Sequence, residues 1–117
     1  TPVWRGVPRP WHAGVLWDRD PRFAVPLIEM LRRDPRLIVG DNEPYSGALE
    51  NDTLYRHGTM RGLAHALIEV RQDLIAEDEG VHDWTMRLVP VLEEILAVPN
   101  IHDIRHFGSA VGPVTTP

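Results

Sequence analysis

The chain alternates between short apolar runs and longer amphipathic segments. Residues 14–17, 37–39 and 64–70 are mainly apolar and are bounded by turn-forming residues, a length and setting typical of buried strands. Residues 79–98 instead carry apolar side chains at helical spacing, which predicts an amphipathic helix with one apolar face. The pattern therefore predicts three short strands and a long helix near the end of the chain.

An earlier helix is predicted between the first two strands, and prolines complicate both helices. Asp20 is a suitable N-cap and Pro21 suits the first helical position. Pro26 and Pro90 lie inside the two helical patterns, where proline removes a hydrogen bond and clashes with the preceding turn. We expect the first helix to begin near Pro26 or to be kinked there, and the second to bend or break at Pro90.

The order of elements indicates the fold class. Strand, helix, strand, loop, strand, helix is typical of an α/β fold, with a mostly parallel or mixed central sheet flanked by helices. Three strands are fewer than the about five or six of an average sheet, so we expect part of a three-layer sandwich. Residues 1–13 are predicted to be a loop, and residues 99–117, rich in Gly, Pro and Thr, an irregular tail.

Composition excludes several classes of function. The net charge of −5 argues against a nucleic-acid partner, because such surfaces are basic. The absence of Cys excludes disulfides, thiolate catalysis and Cys-type zinc sites from this chain. No apolar run approaches the about 20 residues that cross a bilayer, so no membrane partner is expected and the cytoplasm is the default compartment.

Two polar segments that follow predicted strands are candidate sites. Ligands of open parallel sheets bind beyond the carboxyl ends of the strands, where residues 40–47 and 69–73 are expected. Glu69 interrupts an apolar strand, and period-two alternation places it on the same face as Arg71, which makes Glu69 a candidate general base. The alternatives are an ion pair of Arg71 with Glu69 or Asp73, and a plain turn at residues 40–47.

The histidines give no clear metal signature. His102 and His106 have the spacing of two ligands on one helix face, but no helix is predicted around them, so no metal site is assigned within this chain. His57 follows the polar loop and could reach the same rim as Glu69, with a solvated histidine as the alternative.

Several phrases, taken together, resemble the N-formylglutamate amidohydrolase family. They are residues 9–16 (RPWHAGVL), 40–47 (GDNEPYSG) and 68–75 (IEVRQDLI), of which the second is the most specific. Residues 53–57 (TLYRH) match the family's Thr-Leu-x-x-His element. The resemblance extends over roughly residues 1–80.

The resemblance implies a zinc enzyme larger than this chain. Family members are similar to zinc carboxypeptidases, and residues 1–117 would form the C-terminal part of one amidohydrolase domain. They hydrolyse the amide of an N-acyl acidic amino acid, N-formylglutamate in the histidine-degradation reaction that names them. Glu69 then corresponds to the glutamate that activates the metal-bound water and protonates the leaving amine.

The resemblance also implies where the rest of the site lies. The residues implied to bind or orient the substrate are Asn42, Tyr45, His57, Arg71 and Arg9. The zinc ligands are expected outside this chain, in a missing N-terminal half against which it would pack. The chain opens with the Thr-Pro of the family's His-Ser-Phe-Thr-Pro phrase, after a ligand, so alone it is expected to be inactive. The alternative is a non-catalytic binding module that keeps the hydrolase scaffold.

Overall fold

Two β-sheets organise the computed structural model, which describes residues 1–114. An antiparallel ribbon, β1 (Val3–Trp4) and β2 (Val7–Pro8), precedes a three-stranded sheet. The strands of that sheet are β3 (Ala13–Leu16), β4 (Val39–Asp41) and β5 (Leu67–Val70). Their order is β4–β3–β5, with β3 parallel to β4 and antiparallel to β5. The three predicted strands are therefore found, with ends shifted by up to three residues.

Both predicted helices are present and both are continuous. Helix α1 spans Pro21–Leu31 and helix α2 spans Asp78–Leu96. The Asp20 carboxylate caps α1 by accepting a hydrogen bond from the Arg22 backbone N–H at 3.0 Å. Pro26 lies within α1 and Pro90 within α2, so a start near Pro26 and a break at Pro90 were wrong. Packing along the rest of each helix outweighs the hydrogen bond that each proline removes.

The direction of β5 decides between the two expected kinds of sheet, mostly parallel or mixed, and the sheet is mixed. A parallel return from β4 would need a crossover, which is usually an α-helix. The connecting residues 42–66 contain a π-helical turn, Tyr55–Thr59, preceded by only two α-helical residues, 53–54, which are too few for a crossover helix. The carboxyl end of β5 therefore lies at the amino ends of β3 and β4, and the next segment is a 3₁₀ turn, Gln72–Ile75.

The two faces of the three-stranded sheet are covered differently. Val15, Val39 and Ile68 share one face, which packs against α1 and joins the hydrophobic core. Each fully buried aliphatic side chain of this kind contributes about 1.5–3 kcal/mol. Gly14, Gly40 and Glu69 share the other face, here called the glycine face. The most buried core residues are Val15, Ala24, Leu27, Ile28, Leu31, Val39, Ile95 and Ile101.

The described part of the molecule is flat. Its extents are 41 × 36 × 22 Å and its radius of gyration is 15.1 Å, above the about 13 Å expected of a globular domain of this length. Helices α1 and α2 pack against each other, and α1 covers the sheet on one side. Residues 1–114 thus supply two layers of the expected sandwich. No helix among them is long and apolar enough to cross a membrane.

The tail beyond α2 is irregular but anchored. Residues 99–114 contain turns and one isolated bridge, Ser109↔Gly112. Ile101 and Ser109 are buried, and the Asp18 carboxylate accepts hydrogen bonds from the Ser109 hydroxyl and from the Ala110 N–H. The final part of the predicted tail, residues 115–117, lies outside the described residues.

Candidate active site

The glycine face allows the polar loop to reach Glu69. The Glu43 backbone carbonyl lies against Gly14 and Gly40, where a Cβ atom at either position would clash with its oxygen. In the sheet register Gly14 is the direct neighbour of Glu69 on β5. The loop after β4 therefore folds back across this face, and its Pro44 lines the same small cavity as Glu69 although β5 runs antiparallel. The two segments expected at a common strand end do come together, but over a face of the sheet.

Asn42 shapes this loop from within. It adopts a positive φ of 53°, a conformation that Asn tolerates better than most residues. Its side-chain oxygen accepts hydrogen bonds from the Trp17 N–H at 2.8 Å and the Gly47 N–H at 3.1 Å. Its own N–H donates to the Val15 carbonyl at 2.9 Å. The amide oxygen of Asn42 is thus used within the loop, and a substrate contact by this residue stays a prediction.

Glu69 presents an exposed carboxylate on the wall of a small cavity. Among residues 1–114 this carboxylate forms no hydrogen bond and no ion pair, so both oxygens are available to a ligand or a water molecule. The cavity measures about 50 Å³, room for a few water molecules. Other residues that line it are Thr1, Arg9, Trp11, His12, Pro44 and Arg71.

Arg71 is already engaged by other groups. Its Nε donates to Asp73 Oδ1 at 2.6 Å, and its Nη1 donates to the Arg9 carbonyl at 3.1 Å. The hydrogen bond from Arg71 is the main cause that lowers the pKa of Asp73. Of the two alternative ion pairs, the Arg71–Asp73 pair forms, and Arg71 ties the end of β5 to the N-terminal segment. Its direct contact with substrate stays a prediction.

Arg9 and Tyr45 meet beside this cavity. Arg9 Nη2 donates to the Tyr45 hydroxyl at 2.7 Å. The Arg9 guanidinium also lies over two aromatic rings, 5.5 Å from the centroid of Trp4 and 5.3 Å from that of Tyr45. These three residues, the Arg9 cluster, line a second concavity that adjoins the first and shares Arg9, Trp11 and Pro44 with it.

The structure separates His57 from Glu69 and adds His12. His57 is exposed on the π-helical turn and does not line the Glu69 cavity, so its substrate role stays a prediction. His12 does line the cavity, and its Nδ1 accepts a hydrogen bond from the Ile38 N–H at 2.9 Å, which places the proton of the neutral ring on Nε2. The sequence feature that could have identified His12 as a residue of this cavity is its position just before β3, inside the phrase RPWHAG.

The described residues do not fit a zinc site. No group of three or more His, Asp or Glu side chains that could hold a metal ion occurs within residues 1–114. His102 and His106 lie in a turn and an irregular segment, and not on one helix face. A tetrahedral zinc site needs at least three protein ligands, so this part of the chain cannot supply one.

Comparisons with known proteins agree with the motifs. The family model for N-formylglutamate amidohydrolase matches residues 2–76 of the chain. A gene product from Agrobacterium tumefaciens, known from its crystal structure, is similar with a TM-score of 0.72 and 30% sequence identity over 82% of this chain. The aligned part spans 38% of that protein's chain. A comparison with curated proteins finds no match. With the family model matching well over half of its residues, this chain belongs to the N-formylglutamate amidohydrolase family.

Proposed function

We propose that this chain is part of an enzyme that hydrolyses the amide bond of an N-acyl acidic amino acid such as N-formylglutamate. The observation that carries the proposal is the Glu69 carboxylate, which is exposed and free of protein partners within residues 1–114 on a cavity wall. Family membership supports the class of reaction. The same proposal includes the cytoplasm as the location of the enzyme and histidine degradation as the process in which it acts.

Glu69 acts first as a base and then as an acid. Its carboxylate takes a proton from a water molecule, whose oxygen attacks the carbonyl carbon of the amide. The C–N bond then breaks, and Glu69 returns the proton to the leaving nitrogen. The products are the carboxylate of the acyl group, formate for an N-formyl substrate, and the free amino acid. A positioned acid–base group of this kind contributes about 10²- to 10⁴-fold in rate.

The remainder of the site is proposed to come from outside residues 1–117, in a larger fold similar to the zinc carboxypeptidases. A cavity of about 50 Å³ is far below the about 300 Å³ or more of typical small-molecule sites. The proposal includes a zinc ion, whose ligands are proposed to lie in the N-terminal part of the protein; the described residues contain no group of three or more His, Asp or Glu that could hold it. Thr1 lines the same cavity as Glu69, so a ligand shortly upstream of Thr1 would lie near Glu69.

The test is formate release from N-formyl-L-glutamate by the full-length protein with zinc. Glu69→Gln is expected to lower kcat by about 10²- to 10⁴-fold, because the amide cannot accept the proton, while KM changes little. Glu29→Gln is the matched control, since Glu29 is an exposed glutamate on α1 that does not line the cavity. It should keep the wild-type rate.

Two outcomes would contradict the proposal. Glu69→Gln with the kcat of the wild type would remove Glu69 from the proton transfers. A wild-type protein that is inactive on this and related N-acyl amino acids would favour the non-catalytic binding module.

A further inference from the structure

Arg9 is a cation held in place by neutral partners. Its guanidinium lies over the rings of Trp4 and Tyr45 and donates to the Tyr45 hydroxyl at 2.7 Å. Its backbone is fixed as well, because its N–H donates to the Pro2 carbonyl at 2.8 Å and its carbonyl accepts from Arg71. Within residues 1–114 Arg9 forms no ion pair with any carboxylate.

Three arginines with side-chain hydrogen bonds have a carboxylate partner that Arg9 lacks, although Arg32, which donates to the Val39 carbonyl, also forms no ion pair within residues 1–114. Arg22 pairs with Asp20, Arg71 with Asp73, and Arg87 with Asp34. A guanidinium has five N–H donors, and the Tyr45 hydroxyl occupies one donor group of Arg9. Aromatic rings orient the guanidinium, and its Nε and Nη1 donate no hydrogen bond within residues 1–114, so donors remain for a carboxylate bound in bidentate fashion.

The segment that carries Arg9 is positive in an otherwise acidic chain. The chain carries a net charge of −5, yet residues 1–17 contain Arg5 and Arg9 and no Asp or Glu. The two positive side chains of this segment favour an anionic ligand beside Arg9.

Arg9 also joins the Glu69 cavity to a larger space. The adjoining concavity measures about 530 Å³ and is walled by the Arg9 cluster together with Trp11 and Pro44. Glu69 lines only the smaller cavity, whereas Arg9 lines both. A volume of this size is within the about 300–1,000 Å³ of small-molecule sites.

From this arrangement we propose that Arg9 binds the side-chain carboxylate of the substrate and so selects acidic amino acids. The inference rests on the proposed function, because it places the reacting amide at Glu69. The side-chain carboxylate of a glutamate lies several bonds beyond that amide, so it extends into the neighbouring concavity where the Arg9 guanidinium is held. Tyr45 is a positioning residue, because its hydroxyl and ring fix the guanidinium.

The test compares two substrates that differ only at the side chain, N-formyl-L-glutamate and N-formyl-L-glutamine, with the full-length protein. The wild type should prefer the glutamate substrate in kcat/KM. Arg9→Gln should lower the ratio of the two kcat/KM values by about 10- to 100-fold, the range for a hydrogen bond to a charged group. The kcat/KM for N-formyl-L-glutamine should stay near the wild-type value, since no carboxylate is lost.

Two further variants separate charge from packing. Arg9→Lys should keep part of the preference because the charge remains, and Tyr45→Phe should weaken the preference less than Arg9→Gln. Arg61→Gln is the matched control for net charge, because Arg61 is exposed and forms no ion pair within the part of the chain that the structure describes. An equal fall for both substrates in Arg9→Gln, as a bracing role predicts, would overturn the proposal, and so would an unchanged ratio.

A binding arm keeps this inference separate from the proposed function. If the wild type hydrolyses neither compound, the proposed function fails, and the same two compounds are titrated by calorimetry. Tighter binding of the glutamate compound that is lost in Arg9→Gln would support the subsite even then. Equal binding of the two compounds, or no binding, would overturn it.

Discussion

At the residue scale, Arg22 connects three parts of the chain. Its side chain is 11% exposed and pairs with Asp20 at 2.7 Å. Its guanidinium also donates to the carbonyl oxygens of Asp103 at 2.6 Å and Gly62 at 3.0 Å. The hydrogen bond to Asp20 is the main cause that raises the pKa of Arg22. One side chain thereby joins the start of α1, the segment after the π-helical turn and the tail.

The first stability prediction concerns Asp20, which is 4% exposed. Asp20→Ala should destabilise the full-length protein by about 3 kcal/mol, because it leaves a largely buried guanidinium without its carboxylate. Asp20→Ser should recover about 1 kcal/mol, since a hydroxyl can still cap the helix. Urea unfolding measures both.

A surface pair gives the control for Asp20. Arg36→Ala removes an ion pair whose arginine side chain is 82% exposed, so it should cost less than about 1 kcal/mol. A loss in Asp20→Ala no larger than in Arg36→Ala would show that the Arg22 connections do not depend on Asp20.

The residue scale also shows how far sequence reasoning reached into the site. Glu69 lies on the glycine face, and Arg71, one residue beyond β5, lines the same cavity as Glu69. The partner of Arg71 was left open between Glu69 and Asp73, and only the folded chain decides it. For His57 two positions were left open, the rim near Glu69 and a solvated site, and the structure has it exposed on the π-helical turn. The sequence could not decide this, because residues 42–66 show no periodic pattern that predicts their path.

At the element scale, Asp34 links the end of α1 to α2. Its carboxylate accepts from Arg36 Nε at 3.0 Å and from Arg87 Nη2, on α2, at 3.2 Å. The hydrogen bonds from Arg36, followed by that from Arg87, lower the pKa of Asp34. A carboxyl group with a lowered pKa in the folded state stabilises the fold only while it is ionised.

The pH dependence follows from the sign of that shift. The contribution of Asp34 is fully present above its unfolded pKa of 3.8 and is lost as the pH falls below that value towards its folded pKa. Urea midpoints measured from about pH 5 to about pH 2 should therefore fall more steeply in the wild type than in Asp34→Asn. Parallel curves would contradict a link through Asp34. Glu29→Gln serves as the control, because it removes an exposed carboxyl group on α1.

At the scale of the whole molecule, the described part has unpaired strand edges and exposed apolar side chains. Strands β4 and β5 each have one neighbour in the sheet, so both present a free edge within residues 1–114. Large apolar side chains are exposed as well, among them Ile38 at 50% and Ile104 at 70%. Because the aligned part spans 38% of the similar Agrobacterium protein, these surfaces are proposed to pack against the rest of the protein.

A segment limited to residues 1–117 tests that proposal. Expressed alone, it should self-associate through its free edges and release no formate, whereas the full-length protein is expected to release it. Sedimentation and the formate assay measure the two properties. A well-folded monomer of the isolated segment would contradict the half-fold interpretation.

The sequence by itself determined the features that depend on residues close together in the chain. The cap at Asp20, the long helix near the end of the chain and the phrase GDNEPYSG could all be read locally, and they led to the fold class and the family. Helical spacing and capping depend on residues within about one turn, so they can be recognised in the sequence without knowledge of the fold.

Only the tertiary structure decided what depends on distant residues. Period-two alternation is the same in parallel and antiparallel strands, so the direction of β5 could not be read from it. Arg9 and Tyr45 are 36 residues apart, and the two glycines that admit the Glu43 carbonyl lie on different strands. These contacts arise from closing long loops over the sheet, and that closure, not any local pattern, places Arg9 beside the Glu69 cavity.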